Sequence, residues 1–121
     1  MTNAEVITQL EVAVEQLKKR IDELDDAIDK IPPFSPEERK QIRKLNFEHQ
    51  QMIDTKNALQ TEIRERRAAR GLIPLTDEEA KAFKKALEDL NKVIKADESF
   101  DAIVAVARGV NNAAKEIHKI A

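Results

Sequence analysis

Two polar residues stand where a helix seam would be served by aliphatic ones. His49 and Lys56 are seven residues apart and fill consecutive core slots of a three-four stripe that otherwise reads Ile42, Leu45, Met52, Leu59 and Ile63. An imidazole there could ligate a metal, move a proton or switch charge near neutrality. A polar group at a single core position can also fix register and oligomer state at some cost in stability. The plain reading is that Lys56 carries its ammonium past the seam on an apolar stem and that His49 is a partly exposed helix residue. The sharper reading is a polar layer of His49, Lys56 and Asp97, with Asp97 or Glu48 beside His49 and Glu11 beside Lys56.

Catalytic chemistry finds little else to work with. A carboxylate-bridged metal bundle uses Glu-x-x-His on two helices, whereas Glu48 adjoins His49 and Glu116 lies two residues before His118. The chain has no cysteine, which removes disulfides, thiolate nucleophiles and cysteine-based metal sites together. Ser35 and Ser99 both fall at helix-cap positions, so a serine-histidine-aspartate constellation has no nucleophile. Gly71 and Gly109 are too isolated to cradle a phosphate. The expectation is a non-enzyme with no catalytic residue, metal or cofactor.

Two further clusters invite a binding role. Arg64, Arg66, Arg67 and Arg70 form the one basic run, short and without a stacking aromatic. Cations at a helix C-terminus also complement the macrodipole, which explains the run without any ligand. Ile103, Ala107, Val110 and Ala114 lie in a stretch rich in small residues and apolar on most faces, which marks it as a candidate self-association surface.

Long helices must carry all of these groups. Ile7, Leu10, Val14, Leu17, Ile21, Leu24, Ile28 and Ile31 recur at three-four spacing, a heptad seam with β-branched residues at one core position and mostly leucine at the other. Pro32 and Pro33 stop that helix, and Ser35-Pro36-Glu37-Glu38 restarts one with a capping box and a proline at the first helical position. Gly71 and Pro74 end the second helix, and Thr76-Asp77-Glu78-Glu79 opens a third with another box. Helices are expected over about 3–31, 36–70 and 76–119. In the third, the step from Ile94 through Asp97 to Phe100 is a stammer. Asp97 or Ser99 could cap a new helix there, but no Gly or Pro intervenes, so one long helix, bent near Asp97, is the favoured reading.

The 121 residues suit a single domain, and Ala, Glu, Lys, Leu and Arg supply 60 of them, a share typical of long helices and coiled coils. Residues 1–31 carry four basic and eight acidic side chains, and residues 35–71 carry nine and six, an imbalance that favours antiparallel pairing of the first two helices. The longest apolar run, Ala102 to Ala107, is far short of the roughly 20 residues that span a bilayer. With no targeting segment and no cysteine, a cytoplasmic location is expected. The predicted architecture is all-α: an elongated antiparallel three-helix bundle or coiled coil. The expected function is non-enzymatic protein–protein interaction or oligomerisation, as a scaffold, adaptor or inhibitor-type binder, with self-association expected. The alternative is a nucleic-acid or ribonucleoprotein accessory that uses Arg64 to Arg70.

Overall fold

The computed structural model describes residues 1–96 and 99–117, and these form four helices: α1 (Asn3–Asp29), α2 (Pro36–Ala68), α3 (Asp77–Lys95) and α4 (Phe100–Glu116). Three begin with reciprocal capping boxes. Thr2, Ser35 and Thr76 accept from the backbone N–H of Glu5, Glu38 and Glu79, whose carboxylates return to the cap. Each such cap contributes about 1 kcal/mol. Ser99 opens α4 by accepting from the Ala102 N–H at 3.3 Å.

The long third helix is therefore two helices, and the bundle has four members rather than three. A helix needs neither glycine nor proline to end when a cap can start the next one and burial rewards the reversal. Continued straight, the α4 segment would hold its apolar stripe in water. Folded back, it buries Ile103, Ala107, Val110 and Ala114 completely. Asp97 itself lies outside the described residues, as does His118.

Neighbouring pairs are α1 with α2, α3 with α4, α2 with α4, and α1 with α3. This order sets α2 and α3 on a diagonal, so residues 69–76 cross the end of the bundle. Gly71 takes a φ of 75° there, and Leu75 is buried with its N–H donating to the Met1 carbonyl at 2.9 Å. Gln16 on α1 donates to Asn91 on α3, which aligns those two helices in parallel.

Helix lengths then decide what is covered. With 27 and 33 residues, α1 and α2 run about 40 and 50 Å, against less than 30 Å for α3 and α4 with 19 and 17. Ala114 lies beside Arg66, and counting back along that parallel pair brings the start of α4 level with Met52. Beyond there the α1–α2 hairpin projects as a two-helix arm. Its tip carries Phe34, 84 % exposed. None of the described helices is long and apolar enough to cross a membrane.

Because Val110 is interior to the chain, Val110→Asp should unfold it rather than release a folded monomer. The expected loss in urea unfolding is about 3 kcal/mol or more. Val12→Asp, at a position 48 % exposed, should stay within about 0.5 kcal/mol of the parent.

Candidate functional site

The three groups singled out in the sequence end up in different settings. His49 is half-buried on α2 with Nε2 3.0 Å from Asp25 Oδ1 on α1, close but without hydrogen-bond alignment. Glu11 pairs with Arg67, and Lys56 has no ion-pair partner among the described residues. The polar layer of His49, Lys56 and Asp97 is not assembled by any described contact. Ile103, Ala107, Val110 and Ala114 face the inside of the chain's own bundle, which uses their small size for close approach of α4 and corrects their reading as an outer surface. Of the basic run, Arg66 is interior at 1 % exposure, whereas Arg64, Arg67 and Arg70 lie outside.

Arg66 belongs to a polar seam that the aliphatic stripe concealed. Glu48, Met52, Thr55, Leu59, Glu62 and Arg66 follow four-three spacing, and all six are buried. Every first position in this repeat is polar, so a search for hydrophobic periodicity passes over it. Reading the same spacing for buried hydrogen-bonding groups would have found it.

The seam ends in a compact knot. Arg66 Nε donates to Glu62 Oε1 at 3.1 Å, Nη1 to Asn3 Oδ1 at 3.1 Å, and Nη2 to the Ala114 carbonyl at 2.5 Å. Asn3 Nδ2 in turn donates to the Arg66 carbonyl at 3.0 Å. Burial pulls the Arg66 pKa below its ordinary value, and the Glu62 carboxylate pulls it back. At the other end of the seam, burial pushes the Glu48 carboxyl above its ordinary value, Asp101 adds to the rise, and Lys44 opposes it. The contacts of Arg66 tie α1, α2 and α4 together.

Among the outward-facing hollows, one lies between the two long helices. On the side of the hairpin away from α3 and α4, α1 and α2 enclose an open trough of about 530 Å³. Val14 and Ile63 form its floor, Glu11, Glu15 and Lys18 one wall, and Arg64 and Arg67 with Gln60 the other. Glu11 reaches across to Arg67, and Lys18 pairs with Glu15 at 3.3 Å. The trough has an apolar base between an acidic helix and a basic one. Among the described residues no cluster of three or more histidine, aspartate or glutamate side chains is arranged to hold a metal.

Arg66→Leu, which removes the donors that meet Glu62, Asn3 and the Ala114 carbonyl, should cost about 3–5 kcal/mol in denaturant unfolding, whereas Glu62→Met with Arg66→Leu should recover part of that loss. Glu48 gives a pH signature. Its raised folded-state pKa makes its contribution complete below the ordinary glutamate value and lost as pH rises through the raised one. Glu48→Gln should accordingly be more stable than the parent at neutral pH, with the difference shrinking as acid protonates the parent. No protein-family model matches the chain, and no curated protein or solved structure is similar enough to it to count as a match.

Proposed function

We propose that this chain is a non-enzymatic helical interaction module, a scaffold, adaptor or inhibitor-type binder, and that it docks a protein partner on the open face of its α1–α2 hairpin. One observation carries the reading. The hairpin has helices packed on one face only, and its other face presents a trough over Val14 and Ile63, walled by Glu11, Glu15 and Lys18 on α1 and by Gln60, Arg64 and Arg67 on α2. An apolar centre within a polar rim is the usual make-up of a protein-binding patch. The polar groups taken out of water serve the bundle and leave no aligned nucleophile and base among the described residues.

The nucleic-acid alternative loses support from the same geometry. Arg66 is turned inside and Arg67 is engaged by Glu11, which leaves Arg64 and Arg70 of the four. Two cations on a chain of net charge −2 make a poor electrostatic footprint for a phosphate backbone.

A photoreactive benzophenone side chain at Gln60, inside the trough, should form a discrete protein adduct on irradiation in cells. The same group at Lys85, exposed on α3, should not. The Gln60 adduct should disappear when Arg64 and Arg67 are both changed to Glu. Nucleic-acid adducts, or equal labelling from both positions, would overturn the proposal.

A further inference from the structure

We infer that the occupant of this face is a second copy of the chain, laid against the first about a two-fold axis that runs along the hairpin; this rests on the interaction reading above. The charges choose the axis. Glu15, Asp22 and Asp29 follow one another at seven-residue intervals along α1, all exposed and all acidic. Arg43, Gln50, Asn57 and Arg64 do the same along α2, exposed and with no acid among them. A two-fold axis parallel to the helices turns α1 of one copy onto α2 of the other. Each acidic line then meets a basic or neutral one. A two-fold axis across the helices would instead set α1 on α1 and acid on acid, which is repulsive. Within the chain, Asp22, Asp29, Arg43 and Arg64 have no ion-pair partner among the described residues, so their charges are available for this pairing.

The floor of the face points the same way. The two positions of the α1 seam are buried to different degrees: Leu10, Leu17 and Leu24 are sealed at 0 % exposure, whereas Val14 and Ile21 keep 4 and 8 % and Ile7 and Ile28 are only half-buried. On α2, Ile42 and Ile53 are likewise half-buried. The leucine position is closed by this chain's own helices. The β-branched position keeps apolar surface to lose at its two ends, at Ile7 and Ile28, while Val14 and Ile21 are already buried.

Size and clearance also fit. A face about 40 Å long and two helices wide, near 20 Å, presents about 800 Å² per copy, the amount a stable two-protein interface buries on each side. Since α3 and α4 pack on the far side of the hairpin, they stand clear of the second copy in this arrangement.

Light scattering on the full chain should give twice the 13.7 kDa chain mass. Changing Asp22 and Asp29 to Lys, or Arg43 and Arg64 to Glu, should weaken the dimer at least about tenfold, and mixing the two variants should restore it. Because the chain has no native cysteine, introduced thiols are unique. Asp22→Cys mixed with Gln50→Cys should form a disulfide-linked dimer that neither variant forms alone. Efficient linking by Asp22→Cys alone would mean that α1 faces α1, and would overturn the arrangement. A 13.7 kDa species at high micromolar concentration would overturn self-pairing altogether. In that event a Gln60 photo-adduct with a different protein leaves the interaction reading standing, and no adduct removes that too.

Discussion

A guanidinium taken out of water must have its donors met, and meeting those of Arg66 determines how the helices lie. Its partners come from three helices: Glu62 one turn back on α2, Asn3 at the start of α1, and the carbonyl of Ala114 near the end of α4. That carbonyl is among the last four of its helix and has no acceptor role within it. Arg66 supplies the missing donor and places a positive charge at the negative end of the α4 dipole. The helix that satisfies Arg66 must therefore run parallel to α2 and finish beside it. Once α4 is placed so, α3 falls beside α1 and the opposite face of the hairpin stays open.

A buried ion pair is a poor source of net stability, because desolvation offsets most of the attraction. Its use here lies in alignment. Leucine seams can be satisfied in more than one register, since one aliphatic contact resembles the next. Glu62, Arg66 and the Ala114 carbonyl meet in one register only, and a slip of one turn would leave a charge buried without a partner. Thr55 and Glu48 continue the same polar position toward the arm, where the cover of α4 ends. Uniqueness of packing on that side is thus set by polar groups, while bulk stability comes from Leu10, Leu17, Leu24, Met52 and Leu59.

Local chemistry was legible in the sequence to the extent that it was local. The boxes at Ser35 and Thr76 and the burial of the α1 leucines follow from side-chain type and spacing, and the structure has them in place. The break before α4 was harder to read. Ser99 is a recognisable cap, but what decides between a bend and a reversal is the availability of α2 and α3 to cover Ile103 and Val110, a long-range fact. The small residues of α4 were recognised as a close-approach surface, yet nothing in their spacing says whether the approaching helix belongs to the same chain. Arg66 was the most misleading position. It sits in a run of arginines, and only the three-dimensional placement of Asn3 and Ala114 distinguishes it from its outward neighbours.

The knot also has a temporal consequence. The α1–α2 and α3–α4 hairpins each form from adjacent sequence, with short closures and little loop entropy to overcome. The bonds of Arg66 to Asn3 and Ala114, by contrast, span 63 and 48 residues of chain. The first closes the far end of the α1–α2 hairpin itself, and the second joins that hairpin to α4. Loop entropy therefore favours closure of the hairpin turns over closure of the Arg66–Ala114 bond between hairpins.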